Sequence, residues 1–431
     1  MKVKFAHISD CHLGAWRNES LNTLGNQAFE MAINIIIREK VDFVIISGDL
    51  FDVSNPKVDI IDLTVRELRK LKDNNIPVYG IMGSHDFSPS DKSMIRPLIT
   101  AGLFINISKG ESTEDNKLKL LFTQDPKTQI KLTGLRARKR SLEIEDYKKL
   151  DLESLEKETG IKIFVLHTML NELKPIEFKD MESAPKSLLP KNFHYYAGGH
   201  LHKTLPKELR ENDNFIGLSS KNNIIYPGAL SLTDFREVET YKYGGMCIIS
   251  GDIDHSKKVA DFEVKFVPLK IIDVITIDLN CDNKSALQVQ NILKEKTTNL
   301  NVKDKIITLR LHGNLSSGKT YEIKTNEFIQ SLKEKGAYEV LVNKFSLSSK
   351  EYSAVKVPSG KSNEEIESVL IYEHVQKLNI KNISKKSLEN KVHELLGIIG
   401  KEREEGMKVK DYNELLIANF TKIFQLVEDK E

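Results

Sequence analysis

The chain has 431 residues, 40% hydrophobic and 29% charged, with a formal net charge of +2. That is more than one ordinary domain and predicts two or three, each able to bury a core. The near-neutral balance neither demands nor excludes a nucleic-acid partner, and it confines any basic surface to a local patch. The widely separated Cys11, Cys247 and Cys281 exclude a disulfide framework and point to a reducing cytosol. The start, MKVKFAHISD, is too short in its apolar part for a signal peptide, and no run of about 18 apolar residues occurs, so neither secretion nor a membrane span is expected.

In chain order, Val3–Ile8 reads as a strand, and residues 20–38 as a helix with Leu24, Ala28, Met31, Ala32 and Ile35 at helical spacing. VDFVIISGD (41–49) is a short buried strand, 57–73 a second helix with Ile61, Val65 and Leu68 on one side, and IPVYGIMGSHD (76–86) a third strand. Continuous apolar strands between amphipathic helices predict a mainly buried sheet with helices packed on it. Strands at 162–167, 194–202, 224–228 and 244–250 have few helices between them, which predicts a second, more antiparallel sheet. The expected fold class is α/β (α+β): a two-sheet β-sandwich flanked by helices over residues 1–262.

A β-α-β-α-β pattern over 263–345 predicts a small α/β accessory domain. Residues 346–363, rich in Ser with Pro and Gly, read as a linker. Residues 364–431 are helical throughout, with Asn363 as a cap, one apolar stripe of Leu388, Val392, Leu395, Leu396 and Ile399, and another of Leu416, Phe420, Ile423, Phe424 and Val427. A unit that small either docks on a partner or packs on its own chain.

The chemistry concentrates where apolar strands end. Asp10 and His12 follow the first strand; Asp49 sits in SGDLFD; Ser84, His85 and Asp86 in MGSHDF; His167 in VLHT; His200 and His202 in GGHLH. Strand ends are where such sheets place sites. The x-spacing in Asp10-x-His12 and His200-x-His202 predicts that each pair shares one side of extended backbone. Carboxylates and imidazoles without thiolates suit manganese, iron or zinc. A shared carboxylate with ligands on both sides is what a two-metal site about 3.5–4 Å across requires, and such a site handles phosphate esters.

The order DxH, GDxx, GxHD, H, GHxH resembles the calcineurin-like metallophosphoesterase superfamily. HISDCHLG, SGDLFD, YYAGGHLHK and YPGAL are similar to its double-strand-break repair nuclease branch, SbcD in bacteria and "meiotic recombination eleven" elsewhere, over residues 3–235. The resemblance implies a metallophosphoesterase fold, a nuclease domain (1–262), a DNA-recognising capping domain (263–345), a linker (346–363) and a segment (364–431) that binds a coiled-coil, SMC-like ABC ATPase. It implies that Asp10, His12, Asp49 and His202 hold one Mn2+ and that Asp49, His167 and His200 hold a second, with Mg2+, Fe2+ or Zn2+ as alternatives. His85 becomes the non-ligand catalytic residue at the scissile phosphate, and Asp86 either orients it or caps its loop. It further implies a homodimer formed through the helices at 20–38 and 57–73, DNA ends, single strands and hairpins as substrates, 3′-to-5′ exonuclease and single-strand endonuclease activity, and a cytoplasmic, nucleoid-associated location.

Two positions depart from the family. Ser84 stands where members carry an Asn ligand to the second metal, and Asp52 where some carry a further active-site His. A hydroxyl is a poorer neutral ligand than a carbonyl oxygen, so the second metal is expected to bind more weakly. Two other functions therefore also fit the sequence: a DNA-end-binding scaffold with an impaired second metal site, and a phosphodiesterase for small molecules. Arg136, Arg138, Lys139 and Arg140 in LRARKR read either as a phosphate contact beside the cleft or as a solvated basic turn. GNLSSGKT (313–320) fits a phosphate-loop pattern, but YEIKTNEF after it is a poor helix start, so it reads as a Gly-Ser loop.

Overall fold

The computed structural model describes residues 1–88, 92–212, 214–219, 223–350, 363–377, 383–400 and 409–424. The chain divides into two units, Met1–Leu315 with Thr320–Leu347, and Ser316–Lys319 with Ser348–Glu431. The first unit begins β1 (Lys2–Ile8), α1 (Glu19–Arg38), β2 (Phe43–Ser47), α2 (Val58–Asp73), β3 (Val78–Ile81), α3 (Ile95–Thr100), β4 (Ile105–Asn106) and a hairpin of β5 (Gly110–Ser112) with β6 (Leu118–Leu120). β7 (Thr123–Gln124), β8 (Lys131–Leu135), α4 (Glu143–Lys148), α5 (Leu152–Lys157), β9 (Lys162–His167), β10 (Tyr195–Gly199), α6 (Glu208–Glu211), β11 (Ile216–Gly217) and β12 (Ile224–Ile225) follow. α7 (Phe235–Tyr241), β13 (Gly244–Asp254) and β14 (Val259–Leu269) complete the two-sheet part of the pattern.

Two sheets face each other. One has the order β11-β14-β13-β1-β2-β3-β4, the other β12-β10-β9-β8-β7. Phe5, Phe43, Ile45, Tyr79 and Ile81 of the first sheet pack on Leu132, Ile163, Val165, Tyr195 and Ala197 of the second. The alternate residues Ala6, Ile8, Val44 and Ile46 point the other way, onto Ala28, Phe29, Ala32, Ile33, Leu68 and Leu71 of α1 and α2. Both faces of β1 and β2 are thus buried, which is why these strands are continuously apolar rather than alternating. Asn18 caps α1 by accepting from the Leu21 amide at 3.3 Å. On α2 the buried stripe is Ile60, Leu63, Leu68 and Leu71, and Val65, expected on the buried side, is 38% exposed.

The sandwich matches expectation, but its antiparallel strands lie elsewhere. In the second sheet β8, β9, β10 and β12 run parallel, and only β7 is antiparallel. GGMCIIS opens β13, which joins the first sheet antiparallel to β1, with β14 antiparallel beyond it. Long connections built from short α-helices and 3-10 turns, rather than from one long helix each, make the crossovers in the second sheet, so the sparse helices were misleading about strand direction.

The expected boundary between residues 262 and 263 falls inside β14, which continues to Leu269. β15 (Asp273–Asn280), α8 (Ala286–Thr298), β16 (Lys305–Leu315), α9 (Thr325–Glu334) and β17 (Glu339–Asn343) then supply the three parallel strands and the helices of a layer whose four-stranded sheet lies over a core of Ile277, Val289, Leu293, Leu309, Leu311 and Leu332. β16 continues through Gly313 to Leu315 and only a single 3-10 turn, Thr320–Glu322, follows, so GNLSSGKT does not lead into a helix as a phosphate loop must.

The second unit contains α10 (Asn363–Lys377), α11 (Lys385–Ile399) and α12 (Val409–Phe424). Ile371, Val375 and Leu388 form its core, with Ile383, Val392 and Phe424 against them. Leu396, Ile399 and Phe420 of the two expected stripes are exposed instead, as are Leu415 and Ile417. Most of the linker expected at 346–363, and Val427, lie outside the described residues. Among the described residues no helix is long and apolar enough to cross a membrane.

Candidate metal centre

Five parallel strands from the two sheets end at one edge of the sandwich, and each releases a candidate ligand there. Asp10 and His12 follow β1, Asp49 follows β2, the Gly83–Asp86 loop follows β3, His167 ends β9, and His200 and His202 follow β10. Asp10, Asp49 and His167 are buried, as is His12 at 5% exposure. The ligand atoms gather into Asp10–His12–His202 and Asp49–His167–His200, each group within 4.8 Å. Asp49 stands between them, with Oδ2 at 3.7 Å from His12 Nε2 and 3.1 Å from His167 Nε2.

The residue pairs do not share a side of extended backbone as their spacing predicted. Asp10 (φ 49°), His12 (φ 43°), Asp49 (φ 51°) and His200 (φ 84°) are all left-handed. Each such residue costs about 1–3 kcal/mol unless its surroundings impose it, and such residues cluster at functional sites. Here backbone bonds impose it: Asp10 N–H donates to Gly48 O at 3.1 Å and His12 N–H to Asp49 O at 3.0 Å. The His200 amide donates to both oxygens of Asp10, at 3.0 and 3.1 Å. Gly83 has to be glycine, because a Cβ there would lie 2.1 Å from Asp49 Oδ1.

Three of the four candidate ligand imidazoles are held by the far nitrogen. His167 Nδ1 donates to Ser47 O at 2.7 Å, His12 Nδ1 to Asp52 Oδ1 at 3.2 Å, and His202 Nδ1 to Glu237 Oε1. An oxygen acceptor at Nδ1 fixes the tautomer and leaves the Nε2 lone pair for a cation. The Nε2 atoms of His12 and His202 then face each other at 3.0 Å, an arrangement satisfied either by a proton shared as a hydrogen bond or by a bound cation. Buried carboxylates, converging lone pairs and no thiolate fit a hard or borderline divalent ion.

The charges are interdependent. Burial raises the Asp49 carboxyl, but His167 above all, then His12 and His85, outweigh it and hold it below the usual carboxylate range. Burial would lower His202, yet its bond to Glu237 pushes it up to about 9; His167, against Asp49, rises to about 10. His200, with burial and the neighbouring His167 both against its charge, falls to about 4. Metal binding to His167 and His202 therefore has to release protons.

His85 is largely exposed beside this cluster. Its backbone N–H donates to Asp49 Oδ1 at 2.8 Å and its Nδ1 to Asp52 O at 2.6 Å. Asp86, read as an orienting residue or a loop cap, is the cap: its oxygens accept from Phe51 N–H at 3.0 Å and Gly83 N–H at 2.9 Å. Burial and then the Asp49 charge push Asp86 up to about 7. Ser84 is half-buried between Gly83 and His85. Cys11 is buried and faces the helix-side core.

In the basic turn, Arg136 lies over the Phe87 ring at 5.5 Å, next to the His85 loop, while Arg138 pairs with Asp146 at 3.2 Å. Lys139 is exposed; the Arg140 side chain lies outside the described residues. The sequence reading missed Glu237 and the hydrogen-bonding role of Asp52. A signal for Glu237 existed: Asp234 and Glu237 have the D-x-x-E spacing of a helix start, and Asp234 does accept from the Glu237 amide at 2.8 Å.

Residues 3–204 match the family model for calcineurin-like phosphoesterases. The chain is also similar to proteins named "DNA double-strand break repair protein Mre11". That of Methanococcus maripaludis is 28% identical over 311 residues, 68% of this chain and 75% of that protein. That of Sulfolobus acidocaldarius is 29% identical over 315 residues, 72% and 75% of the two chains. That of Sulfurisphaera tokodaii is 31% identical over 265 residues, 60% and 62%. With the ligand-bearing strand ends at one edge of a two-sheet sandwich, residues 3–204 of this chain are a calcineurin-like phosphoesterase domain, a metal-dependent hydrolase fold.

Proposed function

We propose that this protein is a two-metal nuclease that processes DNA ends in double-strand break repair. The convergence of Asp10, His12, Asp49, His167, His200 and His202, with exposed His85 at the rim, is the observation that carries the reading. Asp10, His12, Asp49 and His202 would hold one metal; Asp49, His167 and His200, with Ser84 or a water, would hold the other. A bound pair of divalent ions supplies a nucleophilic water near neutral pH and neutralises charge on the phosphate. Manganese is the ion we favour.

The chain's own side chains supply the rest. Ser47 O, Asp52 and Glu237 fix the tautomers of His167, His12 and His202. His85, exposed and with Nδ1 held on Asp52 O, would use Nε2 to contact the scissile phosphate and give a proton to the departing sugar oxygen. Arg136, over the Phe87 ring beside that loop, would meet the DNA backbone. Names of the similar proteins support repair as the context; 3′-to-5′ exonuclease and single-strand endonuclease activities are the modes we expect. Val58, 78% exposed on α2, and Val65 support pairing of two copies there. Exposed Leu396, Ile399, Ile417 and Phe420 support docking of residues 364–431 on a coiled-coil, SMC-like ATPase.

The test is cleavage of end-labelled duplex and circular single-stranded DNA in manganese, magnesium or EDTA, with His85→Ala alongside. Manganese-dependent cleavage should fall about 10²–10⁴-fold in the variant, with DNA binding retained. Equal cleavage in EDTA, or by His85→Ala, would refute the mechanism. DNA binding with one metal and no turnover would instead favour a non-nucleolytic scaffold, and cleavage of a chromogenic diester but not DNA a small-molecule phosphodiesterase.

A further inference from the structure

We infer that Glu237 is a positioning residue for His202, and that α7, which carries it, is a strut tying that ligand to the β15–β17 layer. This rests on the two-metal reading above. Glu237 uses both oxygens: Oε1 accepts from His202 Nδ1, and Oε2 accepts from the Thr233 amide at 2.7 Å and the Thr233 hydroxyl at 2.9 Å. The carboxylate is therefore fixed to backbone before it meets the imidazole. His202 Nε2 in turn stands 3.0 Å from His12 Nε2 and 3.8 Å from Asp10 Oδ1. Without Glu237 the ring could rotate and both nitrogens lose their assignment.

Two residues on, Glu239 points about 200° further round the helix and grips the other side. Its carboxylate accepts from Arg310 Nε at 2.9 Å on each oxygen and from a terminal guanidinium nitrogen at 2.5 Å. Arg310 lies on β16 and its guanidinium stacks on the Phe235 ring of α7 at 5.2 Å. At the far end of α7, Lys242 bonds the Thr276 hydroxyl of β15. A bidentate, stacked arginine is the most geometrically exacting ion pair available to a protein. One short helix is thus bonded to a metal-ligand histidine on one face and to the β15–β17 layer on the opposite face. A shift of that layer would move Glu237 and, through it, His202, while Asp49, His167 and His200 hang on the sandwich itself.

The experiment is calorimetric titration of the full-length protein with manganese, for the parent and for Glu237→Ala, Glu237→Gln and Arg310→Ala, with thermal melts to check folding. The parent should show two sites. Glu237→Ala should lose about 10–100-fold in affinity at one site only. Glu237→Gln, whose amide oxygen can still accept from His202 Nδ1, should recover most of that loss. Arg310→Ala, distant from the metals, should weaken the same site by a smaller factor. Affinities equal to the parent in Glu237→Ala and Arg310→Ala, equal losses at both sites, or no recovery by Glu237→Gln in a folded protein would each overturn the inference. A parent that binds no manganese overturns the two-metal reading itself, and this one with it.

Discussion

His12 Nε2 and His202 Nε2 lie 3.0 Å apart although the residues are 190 positions apart in the chain. Each ring has committed the hydrogen on Nδ1 to a carboxylate, Asp52 for His12 and Glu237 for His202. Two lone pairs so placed repel unless a proton or a metal ion sits between them. The protein holds them there with elements from both sheets, so the close approach is built into the fold, and a bound cation would take the place of the shared proton.

Gly83→Ala should disable the site without touching a ligand. The added methyl would fall 2.1 Å from Asp49 Oδ1 and 2.3 Å from the Asp49 amide. Asp49 must move, and it is the carboxylate nearest to both ligand groups. We expect manganese binding lost at both sites and a stability loss of about 1–3 kcal/mol for the overpacking. Calorimetry and urea unfolding check this; unchanged metal affinity would sink the bridging role of Asp49.

Ser84→Asn should tighten the second metal. The carbonyl oxygen of Asn reaches further and is a better neutral ligand than a hydroxyl. An affinity gain of about tenfold corresponds to 1.4 kcal/mol, a modest demand on one ligand. The readout is the manganese concentration giving half-maximal cleavage. A value unmoved or raised in the variant would mean that Ser84 does not face the metal.

The basic turn should divide. Arg136→Ala should weaken DNA binding and reduce the salt slope by about one, because Arg136 lies on Phe87 beside the His85 loop. Arg138→Ala should do less, since its guanidinium already faces Asp146 at 3.2 Å. Binding measured across a salt series separates the two; equal slopes for both variants and the parent contradict a phosphate contact at Arg136.

His7 should give the fold an acid sensitivity of its own. It lies between the sheets, bonded to the Tyr195 hydroxyl at 2.9 Å and the Ser47 hydroxyl at 2.9 Å. Burial lowers it from the ordinary 6.5 to about 3. The folded state therefore keeps it neutral where the unfolded chain takes up a proton. Its contribution is fully present above pH 6.5 and is lost as pH falls toward 3, at up to about 1.4 kcal/mol per pH unit. Urea unfolding at several pH values should show a shallower acid loss in His7→Gln than in the parent. Parallel curves would show that His7 is not the titrating group.

Much of the site was legible because its chemistry is local. Each candidate ligand lies within four residues of an apolar strand end, and runs such as VIISGD and KIFVLH read as buried strands releasing polar residues at their ends. Residue type then restricts the chemistry, since carboxylates and imidazoles without thiolates bind the same few ions wherever they meet. The local reading failed on side-chain direction. Spacing suggested extended backbone for Asp10-x-His12, but both residues are left-handed because Gly48 O and Asp49 O capture their amides from the next strand. That capture is a contact between strands, and no single stretch of sequence contains it.

Tertiary structure also decided which partner each histidine keeps. Asp52 and Glu237 acquire their roles from strand order and from the placement of α7, and Asp86 became a loop cap because Phe51 and Gly83 offered amides within reach. The second sheet turned parallel for a similar reason: its connections, broken into short helices and 3-10 turns, are long enough to cross over, and how they pack sets the strand direction. Residue chemistry and periodicity are properties of the chain, so the sequence by itself determined the ligand types and the burial of the strands that carry them. Orientation, tautomer and pairing are properties of neighbours brought together by folding, and only the assembled sandwich determined those.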